Sequence, residues 1–182
     1  MAPPFGDDTP LISAADGAVV RGLPESASPI VALLFSASWC PACARFEPLF
    51  ADFYDDLAEG ALQVVLISRD KSEPDMQAAL RAGHVPPGWL ALDHGERDLA
   101  RRLELALGVT TVPSLAVLRR SDGAIVSPIA QARREVVKGP PPAICAQWSE
   151  DAVAEKEGLA VLPPLESVME DAGTAGAAAA AA

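Results

Sequence analysis

The sequence has few of the residues that build metal centres or disulfide frameworks. It contains three cysteines and two histidines among 182 residues. A structural zinc site needs about four such ligands, and small secreted domains held by disulfides carry many more cysteines. One C-x-x-C pair is present, without a second C-x-x-C or an H-x-x-H pair. We therefore expect neither a metal site nor a disulfide framework.

Long hydrophobic runs are also missing. No apolar stretch approaches the roughly 18–20 residues that a membrane-spanning helix needs. The first ten residues lack the basic and apolar regions of a secretory signal. From these features we expect a protein without a membrane partner in a reducing intracellular compartment, the cytoplasm or additionally the nucleus.

Positive charge is scarce, with 14 Lys and Arg against 25 Asp and Glu and a formal net charge of −11. More than half of this charge belongs to the C-terminal tail, because seven acids and one lysine follow Trp148. No basic patch of the kind that binds nucleic acid is present. The sequence therefore predicts no nucleic-acid partner.

Composition divides the chain into three parts. Residues 1–10 form a Pro- and Asp-bearing lead-in that we predict to be flexible. Residues 11–148 have the hydrophobic content of one folded domain. Residues 149–182 are acidic and rich in alanine, which predicts a largely disordered tail.

Two cysteines three residues apart stand where a predicted apolar strand, residues 30–36, meets a predicted helix, residues 41–59. If Cys40 takes the N-cap position, Pro41 falls at the first helical position, where its fixed φ fits and its missing N–H costs nothing. The positive end of the helix then favours the thiolate of Cys40. Cys43 lies one turn later on the same side and is able to close a disulfide with Cys40.

This arrangement is typical of a dithiol redox site. Cys40 would attack a substrate disulfide, and Cys43 would resolve the mixed disulfide. Half of a zinc site and a pair of unreactive buried cysteines are the alternative interpretations. The strand-to-helix placement and the flanking Trp39 and Pro41 argue against the second alternative. For Cys145 the residues leave core packing, a regulatory thiol and a dimer contact open, and packing beside Trp148 is the favoured interpretation.

The remaining patterns predict a mixed sheet with helices on both faces. Asp16-Gly17 predicts a hairpin turn near the N-terminus. The run Gly139–Pro142 predicts a break, followed by one turn at residues 144–148 and a short acidic helix at 150–157. The other predicted elements are a strand at 62–68, a helix at 72–82, an extended piece at 89–92, a helix at 96–107 and strands at 115–118 and from 124.

Residues 36–43, S-A-S-W-C-P-A-C, resemble the active-site motif of the tryparedoxin and nucleoredoxin family, whose centre is usually W-C-P-P-C. The resemblance covers about residues 10–148 and is carried by further segments in the family's order. These segments are residues 64–70, residues 89–92, Gly108-Val109 with Val112-Pro113-Ser114-Leu115, residues 131–133 and Trp148.

The resemblance implies an α/β chain with a thioredoxin-like fold, in which helices flank a mixed central sheet and an N-terminal β-hairpin is added. It implies a thiol–disulfide oxidoreductase acting on protein disulfides, with Cys40 and Cys43 as the catalytic pair and redox-active disulfide. It also implies a cis peptide between Val112 and Pro113, opposite the dithiol. The residues expected to contact substrate are Trp39, Pro41, Val112, Pro113 and Arg133.

Two of these residues have alternative interpretations. Trp39 either covers the dithiol and shapes substrate access or simply packs at a strand end. Arg133 either neighbours an anionic part of the substrate or is a solvated surface arginine.

The implied partners are disulfide-containing proteins and an electron donor, either a reductase or a low-molecular-weight dithiol. No bound cofactor is expected because the dithiol itself carries two electrons, and a monomer is expected. A protein of another class fits the same residues: a redox-sensitive client-binding module or scaffold with little turnover. The intact Cys40 and Cys43 pair argues against pure scaffolding.

The sequence departs from the family pattern near the dithiol. Ala42 replaces proline between the cysteines, and Arg69 stands where the relatives often carry an aromatic, so its cation is expected to lower the thiol pKa. Leu34 occupies the position where plain thioredoxins place a buried acid. Proton handling must therefore use another group or water, and His84 and His94 are weak candidates.

Overall fold

The computed structural model describes residues 4–25, 28–82 and 84–153. The described residues form seven strands and five helices. In chain order these are β1 (Pro10–Ser13), β2 (Val19–Arg21), β3 (Ile30–Ser36), α1 (Pro41–Asp55), β4 (Gln63–Ser68), α2 (Glu73–Leu80), β5 (Leu90–Leu92), α3 (Arg97–Leu107), β6 (Ser114–Arg119), β7 (Ile125–Ser127), α4 (Ile129–Lys138) and α5 (Pro141–Val153).

The strands form one mixed sheet in the order β2-β1-β5-β4-β3-β6-β7. Strand β4 pairs in parallel with β3 and β5, and the other neighbours are antiparallel. The predicted N-terminal hairpin is confirmed as β1 and β2. Gly17 has a φ of 75° in the connecting turn, a backbone conformation that favours glycine.

Strand β3 is central and is buried along its whole length. Successive side chains of a strand point to opposite faces of the sheet, and β3 feeds two separate hydrophobic cores. Ile30, Ala32 and Leu34 pack with residues of α1, α2, α4 and α5, while the alternate side chains pack with residues of α3. This confirms the prediction of helices on both faces and leaves Cys40 just beyond the end of the innermost strand.

Helix α1 begins at Pro41 as predicted but ends at Asp55, four residues before the predicted end at residue 59. The backbone N–H of Leu57 bonds to the carbonyl of Tyr54 at 3.0 Å, which tightens the end of the helix into a turn. Pro48 lies inside the continuous helix. The apolar stripe of α1 buries Phe46, Phe50 and Phe53 in the core.

The segment after β7 differs most from the prediction. Helix α4 was not predicted, although Ala132 and Val136 stand four residues apart on one face and are buried. The prolines read as a break instead start α5, because proline is well accommodated in the first helical turn. Helix α5 continues to Val153, so the boundary predicted after Trp148 is wrong. Residues 154–182 lie outside the described residues. They include most of the predicted tail and the second half of the predicted acidic helix.

The N-terminal lead-in also needs a correction. Residues 1–3 lie outside the described residues, but Phe5 is buried and packs in the core on the α3 side. The backbone N–H of Thr9 bonds to the carbonyl of Gly6 at 3.0 Å. Pro10 already belongs to β1. The prediction of a flexible segment over residues 1–10 is therefore wrong from Phe5 onward, because one aromatic side chain anchors this segment.

We expect Trp148→Ala to destabilise the fold by about 3–5 kcal/mol, the usual cost of truncating a buried aromatic. Trp148 is 2% exposed, its ring centroid lies 5.7 Å from that of Phe53, and its indole N–H donates to Glu135 Oε2 at 2.9 Å. Urea unfolding measures the change. The control is Trp39→Ala, which removes an indole that is 59% exposed and should cost less than about 1 kcal/mol. Equal, small losses in both variants would show that α5 does not belong to the core.

Candidate redox-active site

The dithiol lies at the junction of β3 and α1, and Cys40 occupies the N-cap of α1 as predicted. Its backbone is extended, with φ −95° and ψ 111°, and its sulfur accepts a hydrogen bond from the backbone N–H of Cys43 at 3.2 Å. Pro41 takes the first helical position, where no intrahelical N–H is needed. The Cys40 sulfur therefore lies next to the unpaired N–H groups at the start of α1.

The two thiols have different environments. Burial acts to raise the pKa of Cys40, but hydrogen bonds from the Cys43 thiol and from backbone N–H groups of Cys43 and Ala42 together lower it below its ordinary value. Burial raises the pKa of Cys43 to about 11, and the hydrogen bond to Cys40 adds to this rise. Cys43 is fully buried. The site thus pairs an acidic outer thiol with a buried thiol that stays protonated near neutral pH.

The Val112–Pro113 peptide is cis, as the resemblance implied. It lies against the dithiol, because the Cys40 sulfur is 3.5 Å from the carbonyl oxygen of Val112. The side chain of Val112 also packs on the small apolar cluster of Ala37, Cys40 and Cys43. The fold therefore brings together two segments that are about 70 residues apart in the chain.

Arg133 is a structural neighbour of Pro113. Its Nη1 donates to the carbonyl oxygen of Pro113 at 2.8 Å, and its guanidinium lies 5.0 Å from the centroid of the Phe46 ring, within cation–π range. A merely solvated surface arginine is therefore the wrong interpretation. Arg133 ties α4 to the cis-proline segment, and a contact with substrate stays a prediction.

Trp39 stands exposed beside the dithiol. Its indole N–H points at the carbonyl oxygen of Arg69 at 3.4 Å, so the ring spans from the N-terminus of α1 to the segment after β4. The alternative of simple packing at a strand end does not fit this exposure. The role of Trp39 in shaping substrate access stays a prediction.

Asp70 fixes the active-site loop and was not singled out in the sequence. Its buried carboxylate accepts hydrogen bonds from the backbone N–H of Ser38 at 2.9 Å and from the Ser38 hydroxyl at 2.8 Å. The Ser68 hydroxyl donates to its other oxygen at 2.9 Å. The carboxylate therefore ties the loop before Cys40 to the end of β4. The signal in the sequence was an acid two residues after the end of a buried strand.

The structure does not support the expected effect of Arg69 on the dithiol. The Nε of Arg69 lies 3.2 Å from Glu104 Oε1 on α3, so its guanidinium is engaged in an ion pair. The charged side chain that shifts the pKa of Cys40 is Glu47, which acts to raise it.

Ser36, Glu47 and His84 form a polar cluster near the dithiol, whereas position 34 holds no acid. Leu34 is fully buried in the apolar core. Glu47 lies one helical turn after Cys43, and one of its carboxylate oxygens accepts a hydrogen bond from the Ser36 hydroxyl. The other oxygen is 3.0 Å from Nε2 of His84. The spacing of four residues between Cys43 and Glu47 on one helix was the signal that the sequence offered for this cluster.

Cys145 packs in the hydrophobic core, and His94 contacts a backbone carbonyl group. Cys145 is buried in the core on the α1 side, and its sulfur is 3.5 Å from the carbonyl oxygen of Ala61. Burial raises the pKa of Cys145, which agrees with the favoured interpretation as a packing residue. His94 Nε2 is 3.3 Å from the carbonyl oxygen of Asp70, and among the described residues it forms no hydrogen bond with either thiol of the pair.

Two further features are absent from the part of the chain that the structure describes. There, no group of three or more His, Cys, Asp or Glu side chains is arranged to hold a metal ion. Over the same residues, no helix combines the length and the apolar character needed to cross a membrane.

Comparison with known proteins agrees with this geometry. The family model described as thioredoxin-like matches residues 28–125, more than half of the chain. The chain belongs to the thioredoxin-like family. Among relatives of this thioredoxin-like chain, tryparedoxin of Trypanosoma brucei brucei is 39% identical over 112 residues, which cover 60% of the chain and 73% of the relative. Nucleoredoxin-like protein 1 of Xenopus laevis is 31% identical over 128 residues, 66% of the chain and 57% of the relative.

Solved structures confirm the thioredoxin-like fold. A tryparedoxin from Trypanosoma brucei superposes with a TM-score of 0.66 at 34% identity and covers 76% of this chain and 91% of the tryparedoxin. A tryparedoxin II in complex with glutathionylspermidine gives a TM-score of 0.62 at 34% identity, over 72% and 87% of the two chains. The predicted resemblance to tryparedoxins and nucleoredoxins is thus confirmed, and the thioredoxin-like chain falls among oxidoreductases that use thiols.

Proposed function

We propose that this thioredoxin-like chain is a thiol–disulfide oxidoreductase that reduces disulfides in protein substrates. The observation that carries the proposal is the pair of unequal thiols at the N-terminus of α1. Cys40 is the N-cap residue and has the lowered pKa, while Cys43 is fully buried and has the raised pKa. A nucleophile that is a thiolate and a resolving thiol held beside it are what disulfide exchange requires.

The reaction proceeds in two exchanges. The Cys40 thiolate attacks one sulfur of the substrate disulfide, the S–S bond breaks, and the other substrate sulfur leaves as a thiolate. Cys43 then loses its proton and attacks the Cys40 sulfur, which forms the Cys40–Cys43 disulfide and releases the second substrate thiol. Two electrons pass from the dithiol to the substrate, so no bound cofactor is needed.

The substrate cleft is formed by Trp39, Pro41, Val112 and Pro113 around the Cys40 sulfur. Backbone next to Pro113 is suited to pair with an extended substrate chain as an added strand. Support comes from the 3.5 Å approach of the Cys40 sulfur to the Val112 carbonyl oxygen and from the exposed indole of Trp39. Arg133 acts on this cleft from behind through its hydrogen bond to Pro113.

The electron donor is a reductase or a low-molecular-weight dithiol, which returns the Cys40–Cys43 disulfide to the dithiol. A similar tryparedoxin II has been solved in complex with glutathionylspermidine, and this complex supports a donor of low molecular weight. A reducing compartment, the cytoplasm or the nucleus, suits this cycle, because there a C-x-x-C pair is typically catalytic rather than structural.

Reduction of insulin disulfides driven by dithiothreitol tests the proposal. The wild type should accelerate the reaction, and Cys40→Ser should fall to the rate of dithiothreitol alone because it lacks the attacking sulfur. Cys145→Ser is the matched control and should keep the wild-type rate, since this buried thiol takes no part in the exchange. Equal rates with and without folded wild type would contradict a general reductase and would favour the redox-sensitive client-binding module.

A further inference from the structure

The resolving step needs a group that accepts the proton of Cys43. Burial raises the pKa of Cys43 to about 11, so only about one thiol in 10⁴ is a thiolate near neutral pH. The position that would place an acid in β3 beside the dithiol holds Leu34, whose side chain is fully buried in the apolar core. A different acceptor must therefore lie within reach of the Cys43 sulfur.

A chain of polar contacts leads away from that sulfur. The Ser36 hydroxyl, at the end of β3, donates to Oε1 of Glu47, and the Ser36 side chain acts to lower the pKa of Cys43, which lies one turn before Glu47 on α1. Oε2 of Glu47 is 3.0 Å from Nε2 of His84. The His84 side chain is 36% exposed, whereas that of Glu47 is 15% exposed. The chain therefore runs from the buried thiol through a hydroxyl and a carboxylate to an imidazole at the surface.

We propose that Ser36 and Glu47 form a proton relay that deprotonates Cys43 during resolution of the mixed disulfide, with His84 as the exit to solvent. The relay specifies the proton transfer of the resolving step, and it rests on the proposed reductase function. The Cys43 S–H gives its proton to the Ser36 oxygen while the Ser36 O–H gives its own proton to the Glu47 carboxylate. The resulting Cys43 thiolate attacks the Cys40 sulfur, and the bond from Cys40 to the substrate breaks. Glu47 then returns its proton, by way of His84, to water or to the departing substrate thiolate.

The surroundings of Glu47 favour this route over others. Asp70 lines the same small cavity, but its two oxygens already accept hydrogen bonds from Ser38 and Ser68. The cavity measures about 10 Å³, which is about the space of a single water, so Ser36 and Glu47 face a space too small for bulk solvent. The titratable groups around Glu47 are His84, which contacts its carboxylate, Asp70, which lines the same cavity, Cys40, whose pKa the Glu47 charge acts to raise, and Cys43, one turn earlier on α1.

The test uses 5,5′-dithiobis(2-nitrobenzoate) mixed rapidly with the reduced protein. Attack by Cys40 releases one thionitrobenzoate and leaves a mixed disulfide, and resolution by Cys43 releases a second in a phase that does not depend on reagent concentration. In Glu47→Gln we expect the second phase to slow about 100-fold near neutral pH, the lower range for loss of a general base. Its rate should rise about tenfold per pH unit, following the Cys43 thiolate, whereas the wild-type rate should change far less.

The first phase provides a readout that misfolding would not give. The Glu47 charge acts to raise the pKa of Cys40, so its removal lowers that pKa, and attack by Glu47→Gln should persist to lower pH than in the wild type. Ser36→Ala breaks the relay at the hydroxyl and should show the same slow, pH-dependent second phase. Glu59→Gln, the same change at an exposed position after α1, is the matched control and should leave both phases unchanged.

Two outcomes would overturn the relay, and they are distinguishable. A wild type that shows two phases while Glu47→Gln and Ser36→Ala keep its second phase, in rate and in pH dependence, contradicts the relay alone. A wild type that releases no second thionitrobenzoate contradicts the proposed reductase function and the relay with it.

Discussion

Replacing Cys43 by serine should convert the protein from a catalyst into a covalent trap. Cys40 keeps its N-cap position and attacks the substrate disulfide, but no second thiol is present to resolve the mixed disulfide. Turnover with insulin should fall to the uncatalysed rate at low dithiothreitol, and covalent complexes should accumulate. The serine is close in size to the buried thiol that it replaces, so the fold should persist. Non-reducing electrophoresis and peptide mass spectrometry measure the complexes and locate the bond at Cys40.

Two double variants make this experiment decisive. Cys40→Ser with Cys43→Ser should trap nothing, and Cys43→Ser with Cys145→Ser should trap as much as Cys43→Ser alone. Complexes joined through Cys145 would contradict the assignment of the nucleophile. Clients that stay bound to all variants and resist dithiothreitol would instead support the client-binding module.

Alkylation should distinguish the two thiols by at least about 100-fold near neutral pH. The pKa of Cys40 lies below its ordinary value and that of Cys43 is raised to about 11, and each pH unit of separation changes the thiolate fraction about tenfold. Iodoacetamide should therefore modify Cys40 first, and its rate should decrease only when the pH falls through the lowered pKa of Cys40. Time-resolved peptide mass spectrometry of the reduced protein gives the rate at each cysteine.

Cys145 is the internal control for this measurement. Its pKa is raised by burial, so it should react slowly, as Cys43 does. Faster modification of Cys43 than of Cys40, or equal rates at the two positions, would contradict the division of roles between nucleophile and resolving thiol.

The position of the dithiol could be predicted because its signals are local. An apolar run predicts the buried strand β3, and a proline directly after Cys40 predicts the first position of a helix. The helices after β7 were harder, since proline is found both at breaks and in the first turn of a helix. Helix α5 is held by the contact of Trp148 with Phe53, and a contact between distant segments is not visible in a local pattern.

The residues of the candidate site also differ in whether a local pattern or only tertiary structure reveals them. Cys40 and Cys43 follow from spacing, but the groups that serve them come together through tertiary structure. Ser36 and Glu47 are 11 residues apart, Glu47 and His84 are 37 apart, and Arg133 reaches Pro113 across 20. Arg69 shows the reverse case, because a cation that the resemblance placed near the site is engaged by Glu104 of α3.

The most direct test of the account is a stoichiometric reaction of the fully reduced protein with oxidised insulin, without any other reductant. Disulfide mapping by mass spectrometry should find one Cys40–Cys43 disulfide for each insulin disulfide reduced, with Cys145 still a free thiol. Insulin that stays oxidised beside a folded, reduced protein would contradict the reductase, and a new disulfide that includes Cys145 would contradict the assigned pair.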